Sequence, residues 1–93
     1  MKYLLTGASG FLGNYFVNNI DKSNNQITKL GRSFSNDIIC DLSKEIPKFE
    51  QNTFDVIIHA AGRAHSNIDD KSVFDKFDSV NVNGTINLLN SMQ

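Results

Sequence analysis

Two kinds of segment alternate along the chain: short runs of consecutive apolar residues, and longer segments in which apolar residues recur every three or four positions. The runs predict four β-strands, at Lys2–Thr6 and at residues 27–30, 37–40 and 54–61. The fourth run, FDVIIHAA, is almost continuously apolar, as a strand covered on both faces should be. Apolar residues three and four positions apart predict helices over residues 10–20 and 72–92. Loops are expected over residues 43–51 and 62–70.

Strands and helices that alternate along a chain predict an α/β fold, in which a parallel sheet carries helices on both faces. The fourth strand is expected beside the first, which gives the strand order 3-2-1-4 and leaves the sheet without its second half. Nothing after Leu89 resembles a helix stop signal. We therefore expect residues 1–93 to be the N-terminal part of a longer domain.

The composition limits the classes of function without choosing one. The chain has nine Lys and Arg and ten Asp and Glu, which gives a net charge of −1. This charge does not favour a nucleic acid or a membrane surface as partner. The single cysteine, Cys40, excludes an internal disulfide and fits a reducing compartment. No apolar run approaches the ~20 residues of a membrane span, and the N-terminus lacks a secretory signal pattern. A cytoplasmic protein is expected.

Three glycines, Gly7, Gly10 and Gly13, stand at intervals of three where the first strand gives way to the first helix. Gly7 is expected to allow the tight turn, Gly10 the close approach of a diphosphate, and Gly13 the close packing of the helix on the sheet. The free N–H groups of the first helical turn, with Ser9 as candidate N-cap, would face the phosphates. The pattern predicts a nucleotide site on a Rossmann-like sheet. A glycine-rich turn without a ligand is the alternative.

The glycine stretch also carries a family resemblance. TGASGFLG, residues 6–13, resembles the T-G-x-x-G-x-x-G fingerprint of the extended short-chain dehydrogenases/reductases, the NAD(P)-dependent nucleotide-sugar epimerases, dehydratases and reductases. Three more segments are similar to motifs of that family and follow in its order: CDL at 40–42, HAAG at 59–62 and VNVNGTINLL at 80–89. The resemblance covers nearly the whole chain and implies the N-terminal part of an NAD(P)-binding Rossmann domain.

The resemblance implies where a dinucleotide cofactor would lie. The backbone N–H groups of Phe11 and Leu12 would bind its pyrophosphate. Asp41 would accept a hydrogen bond from the adenine amino group, and the backbone of Leu42 would lie beside the ring. A turn or N-cap role is the alternative for Asp41.

The resemblance further assigns the small residues Ala60, Ala61 and Gly62 to the surface along the cofactor, and Asn81 to its nicotinamide side. For the three small residues, the alternative is close packing between helix and sheet, and the same residue can have both roles. For Asn81 the alternative is a solvated side chain, although asparagine is a poor helix former and needs some reason to stand there.

The end of the second strand bears on which cofactor binds. An NAD enzyme usually places an Asp or Glu there, about 20 residues after the glycines, to bind the adenosine ribose. This chain has Arg32 and Ser33 instead, which suit a 2′-phosphate and favour NADP slightly over NAD. Asp37 is a second candidate for the ribose. An ordinary exposed arginine is the alternative for Arg32.

The resemblance implies a catalytic pair, a tyrosine with a lysine four residues later, that this sequence lacks. Four residues after Tyr3 stands Gly7, and four residues after Tyr15 stands Asn19. We therefore predict no catalytic residue, and no activity, for these 93 residues alone. His59 is expected to lie in the core, and no cluster of His and Cys predicts a metal site.

Two functions of different classes fit these features. The first is the dinucleotide-binding portion of a sugar-nucleotide epimerase, dehydratase or reductase, whose nucleotide-sugar substrate would need the missing C-terminal part. The second is a non-catalytic NADP-binding or sensor module. A flavin or biliverdin reductase is disfavoured by HAAG and VNVNGT. The open edge of the fourth strand predicts self-association, and a monomer in light scattering would count against it.

Overall fold

The computed structural model describes residues 1–50, 53–61 and 78–92, and it confirms the predicted α/β class. Its elements, in chain order, are β1 (Lys2–Thr6), α1 (Phe11–Asn19), β2 (Gln26–Gly31), β3 (Ile38–Ile39), β4 (Val56–His59), a π-helical segment (Asp78–Asn83) and α2 (Gly84–Ser91). These elements belong to two units, Met1–Cys40 with Glu50–Ala61, and Asp41–Phe49 with the described residues from 78 onward. The predicted loop 62–70 and the beginning of the predicted helix 72–92 lie outside the described residues.

The sheet of the first unit has four parallel strands in the order β3-β2-β1-β4, so the predicted order 3-2-1-4 is confirmed. In β1, the last residue, Thr6, lies opposite Leu30 of β2 and His59 of β4. Because the strands are parallel, the segments that follow them leave the sheet at the same carboxyl edge. The glycine stretch, the segment after β2 and the two alanines after β4 therefore start side by side.

The outer strands β3 and β4 are shorter than the apolar runs that predict them. β4 ends at His59 because β1, with which it pairs in the described part of the chain, ends at Thr6. The Ala60 N–H still donates to the Thr6 carbonyl at 3.1 Å, although the strand has ended. β3 has only two residues, Ile38–Ile39, because its partner β2 ends at Gly31.

The core of the first unit is centred on β1. Leu4, Leu5 and Thr6 are fully buried, and Leu30 of β2 and Cys40 are nearly so. Removing a leucine side chain from water contributes about 2 kcal/mol to folding, so this strand is the main source of hydrophobic stabilisation among these elements. A buried free cysteine such as Cys40 packs like a small apolar residue.

Helix α1 buries the apolar face that its spacing predicts, except at Leu12. The Leu12 side chain is 70% exposed, and Gly13 is the buried residue of the helix. Gly13 and the half-buried Phe16, Val17 and Ile20 follow the spacing i, i+3, i+4, i+7, whereas Leu12 is rotated about 100° away from Gly13. The rings of Tyr3 and Phe16 meet edge to face with centroids 5.4 Å apart.

The second unit contains the described part of the predicted helix 72–92. A π-helical turn gives way to α2 at Gly84, which is buried and lies with its α-carbon close to Leu42. The Asn87 side chain donates to the Leu42 carbonyl at 2.6 Å, and this bond ties the helix to the segment after Asp41. Residues 43–50 form no helix, in agreement with the predicted loop. Among the described residues, no helix has both the length and the apolar character needed to cross a membrane.

Candidate functional site

The turn after β1 depends on the absence of a side chain at Gly7. Its φ of 78° lies in the left-handed region, where a Cβ is strained. A Cβ on Gly7 would lie 2.5 Å from the Ala61 nitrogen and 2.6 Å from the Ala60 carbonyl carbon, both backbone atoms of the neighbouring segment. The Gly7 carbonyl accepts the Gly10 N–H at 3.1 Å and closes the turn. Glycine at this position is thus a requirement of the backbone, as the spacing predicts.

Helix α1 begins directly after this turn, and its N-terminus is not capped by a side chain. The N-cap is Gly10, in extended conformation and without a side-chain capping bond, so the predicted N-cap role of Ser9 is wrong. The Asn14 N–H donates to the Gly10 carbonyl at 2.9 Å, the first bond of the helix. Because a helix leaves its first N–H groups without intrahelical acceptors, those of Phe11, Leu12 and Gly13 remain available for a ligand.

The start of α1 is suited to an anion. No acidic residue stands in its first turn, so no carboxylate of the helix competes for the three N–H groups or for the positive end of the helix dipole. Among the residues that the structure describes, a Cβ built on Gly10 would meet only the Gly7 carbonyl oxygen, at 3.5 Å. An oxyanion can therefore approach the backbone of Gly10 closely while accepting hydrogen bonds from the first turn.

Gly13 brings the helix close to the turn. A Cβ on Gly13 would collide with the Gly7 carbonyl oxygen and would lie 2.7 Å from the Gly7 carbonyl carbon and 2.9 Å from the Ala8 α-carbon. The contact is with the backbone of the turn, which no side-chain rearrangement relieves. Gly13 does permit close packing, but the nearest surface is the backbone of the turn after β1 and not the sheet that the sequence predicts.

A buried hydrogen-bonded group joins the ends of β1 and β4 beneath the turn. The Thr6 hydroxyl, fully buried, accepts the Ala61 N–H at 3.2 Å and lies 2.6 Å from Nδ1 of His59. A threonine hydroxyl has one proton to donate, and a neutral imidazole accepts it at Nδ1 with its own proton on Nε2. Partial burial lowers the pKa of His59, which favours this neutral form. The group fixes the backbone of Ala60 and Ala61 against Gly7.

The lowered pKa of His59 predicts a pH dependence of stability. The unfolded chain takes up the His59 proton near pH 6.5 and the folded chain at lower pH, so the free energy of unfolding falls as the pH drops through this window. In urea denaturation, a His59→Gln variant should lose less stability than the parent between about pH 7.5 and pH 5.5. His65→Gln, which removes the other histidine, is the matched control. Equal losses in the parent and in His59→Gln would contradict the proposed group.

The segment after β2 lies next to the glycine turn at the carboxyl edge. Arg32 and Ser33 are both exposed, and Arg32 has no ion pair or hydrogen bond within the part of the chain that the structure describes. The Ser33 hydroxyl lies 2.7 Å from that of Ser35, and the Ser33 carbonyl accepts the Asn36 N–H at 3.2 Å. One guanidinium and two hydroxyls are thus presented beside the anion site.

A match to a protein family identifies the family of this chain. A model of the NAD dependent epimerase/dehydratase family matches residues 3–93. The chain belongs to this family. The predicted resemblance to the extended short-chain dehydrogenases/reductases is thereby confirmed at the level of the family. No curated protein matches the chain.

Two solved structures share the fold of this NAD dependent epimerase/dehydratase family member. The protein lin1944 from Listeria innocua has a TM-score of 0.73 at 24% sequence identity, and the match covers 98% of this chain and 48% of that one. A short-chain dehydrogenase/reductase superfamily protein from Agrobacterium tumefaciens, solved with bound NAD, has a TM-score of 0.66 at 18% identity, covering 99% of this chain and 29% of that one. The chain thus spans about half the length of the first and under a third of the second.

The family residues of the second unit make contacts within that unit. The Asp41 carboxylate accepts the Ser43 N–H at 3.0 Å and the Ser43 hydroxyl at 2.6 Å, which is the turn role considered as its alternative. Leu42 is buried, and the Asn81 carbonyl accepts the Thr85 hydroxyl at 2.7 Å. Their cofactor contacts stay predictions, and Gly62 lies outside the described residues.

Sequence analysis does not single out two residues near the candidate site of this family member. Thr6 reads as an ordinary strand residue, and its bond to His59 joins positions 53 apart in the chain. Asn36 reads as a loop residue, although its side chain donates to both the Ser33 carbonyl and the Ser33 hydroxyl at 3.1 Å. Only their position in the sequence could identify them, because both lie near the ends of predicted strands that neighbour each other in the sheet.

Proposed function

We propose that this chain is the dinucleotide-binding portion of an NAD(P)-dependent nucleotide-sugar epimerase, dehydratase or reductase. The observation that carries the proposal is the geometry at the start of α1. Three backbone N–H groups, those of Phe11, Leu12 and Gly13, are available at the start of α1. The preceding residue, Gly10, has no side chain that would keep a ligand away from them. A bridging diphosphate carries the negative charge and the acceptor oxygens that this arrangement lacks.

Family membership and the NAD bound to the Agrobacterium tumefaciens protein support a nicotinamide dinucleotide as the ligand. Such a cofactor supplies hydride transfer when it is bound. The residues of this chain bind the pyrophosphate at the first turn of α1, and the Thr6–His59 group holds the neighbouring backbone of Ala60 and Ala61 in place. The sequence of residues 1–93 contains no Tyr-x-x-x-Lys, so the role proposed for it is binding.

Titration with NADH and NADPH tests the proposed function. Nicotinamide fluorescence reports binding of both reduced cofactors, and ADP-ribose should displace them because it retains the pyrophosphate. Saturable binding that ADP-ribose competes away is the expected result. Absence of binding to a folded chain, with fold confirmed by circular dichroism, would overturn the proposal.

Arg32 is proposed to favour NADPH over NADH by pairing with the 2′-phosphate. A charge-assisted hydrogen bond to phosphate contributes about 1.5–3 kcal/mol, so Arg32→Ala should weaken NADPH binding by about tenfold or more and leave NADH binding nearly unchanged. Lys22→Ala, which removes an equal charge from the exposed turn after α1, is the control. Tighter binding of NADH than of NADPH by the unmodified chain would contradict the preference.

A further inference from the structure

The segment that follows β2 is a tight turn held by its own side chains. The Asn36 N–H donates to the Ser33 carbonyl at 3.2 Å, which makes Phe34 and Ser35 the two central residues of a four-residue turn. The Asn36 side-chain amide donates to the Ser33 carbonyl and to the Ser33 hydroxyl, each at 3.1 Å. The two serine hydroxyls bond to each other at 2.7 Å. The backbone on either side of Phe34 is therefore fixed.

This turn is also anchored to the sheet. The Asp37 N–H donates to the Lys29 carbonyl at 2.9 Å, and the Asp37 carboxylate accepts the Lys29 N–H at 2.8 Å. Asn36 folds back over the end of β2, where a Cβ on Gly31 would lie only 2.7 Å from its amide nitrogen. The Asp37 side chain therefore has a structural role in joining the turn to β2, and its presence does not require a contact with the cofactor ribose. The turn thus has a defined place relative to β2.

Phe34 is the residue that this turn exposes. Its side chain is 92% exposed, more than that of any other large hydrophobic residue among those described. The central positions of turns favour Gly, Pro, Asn, Asp and Ser, none of which is an aromatic residue. Its neighbours Arg32, Ser33 and Ser35 are polar and exposed. Because the ring is almost fully exposed, it adds little to the stability of the described part of the chain, and its face is accessible to a ligand.

The position of the turn indicates which part of a ligand it meets. Thr6 and Leu30 pair in register, and adjacent strands lie about 4.8 Å apart, so the turn after β2 starts beside the anion-binding turn at Gly7. In a dinucleotide bound through its pyrophosphate at α1, the adenosine half extends towards the end of the second strand. An exposed aromatic ring on a fixed turn, two residues after the exposed Arg32, suits a flat base attached to a charged ribose phosphate.

We propose that Phe34 stacks on the adenine ring of the dinucleotide and that the Ser33–Asn36 turn holds it ready to do so. This inference rests on the proposed function and adds a residue to it. Stacking of a base on an aromatic side chain is sequence-independent and strong enough for alanine substitution to weaken binding by about tenfold or more. The same factor applies to NADH, NADPH and ADP-ribose, because all three carry the adenine.

Alanine substitution at Phe34 separates this inference from the proposed function. Phe34→Ala should weaken ADP-ribose binding by about tenfold, whereas Phe34→Tyr, which keeps the ring, should bind like the parent. Leu89→Ala, an exposed apolar residue of the second unit, should change nothing. The thermal midpoint should stay constant for Phe34→Ala, since the ring is 92% exposed. Undiminished ADP-ribose binding by Phe34→Ala overturns the stacking and leaves the proposed function intact; failure of the parent to bind overturns both.

A second measurement reports the stacking directly. The chain has no tryptophan, so Phe34→Trp introduces the single indole of the protein. ADP-ribose should quench its fluorescence with the same concentration dependence as binding, and nicotinamide mononucleotide, which has no adenine, should not. Leu89→Trp is the matched control and should be insensitive to ADP-ribose. Equal responses of the two variants, or quenching by nicotinamide mononucleotide alone, would overturn the inference.

Discussion

Replacing Gly7 with alanine is expected to destabilise the folded chain by about 3–5 kcal/mol, a large part of the stability of a domain of this size. Two causes add. A φ of 78° is unfavourable for any residue with a Cβ, and the new methyl group would lie 2.5–2.7 Å from backbone atoms of Ala60 and Ala61. Those backbone atoms are held by Thr6 and cannot retreat without breaking the pairing of β1 and β4.

Urea denaturation followed by circular dichroism measures this effect. Gly10→Ala is the matched control, because it makes the same chemical change three residues away, where a Cβ meets one atom at an ordinary 3.5 Å. Loss of a glycine at an N-cap costs about 1 kcal/mol or less, so the control should unfold at a similar urea concentration to the parent. Comparable midpoints for the parent and for Gly7→Ala would show that the turn is not constrained as described.

Gly10→Ala is expected to have the opposite profile, with a nearly unchanged fold and strongly weakened dinucleotide binding. The methyl group would occupy the open space beside the N–H groups of Phe11, Leu12 and Gly13. Holding the pyrophosphate away from even one of these donors forfeits a charge-assisted hydrogen bond of about 1.5–3 kcal/mol, so affinity should fall by about tenfold or more.

Fluorescence titration with NADPH at fixed salt measures the change in affinity, and the urea midpoint of the same variant shows that its fold is retained. Ser9→Ala is the matched control, because Ser9 lies beside Gly10 but provides no capping bond. Its affinity for NADPH should equal that of the parent. If Gly10→Ala bound NADPH as tightly as the parent, the phosphates would have to bind at a site other than the start of α1.

The strand order and the glycine turn follow from the sequence because local patterns determine both. Alternation of strands and helices leaves few parallel topologies, and only glycine tolerates the backbone at position 7. The family motifs then predict which residues along the chain would contact a cofactor. The glycine spacing is informative about packing, as the contacts of Gly13 with the turn demonstrate.

Other features of the site do not follow from the sequence because they depend on contacts between distant segments. The face that α1 buries is set by how closely Gly13 approaches the turn, so Leu12 is exposed despite its apolar side chain. Ser9 has the chemistry of an N-cap, but the N-cap is the next residue, Gly10, and the helix begins at Phe11. The bond between Thr6 and His59 depends on the register of β1 against β4, which the predicted strand order does not determine.

The most direct test of the central claim is an amide-resolved NMR titration of the chain with NADPH. If the first turn of α1 binds the pyrophosphate, the resonances of the Phe11, Leu12 and Gly13 amides should show the largest shifts and should saturate together with nicotinamide fluorescence. Amides at the far end of the helix should move little. Saturable NADPH binding that leaves these three resonances in place would contradict the account.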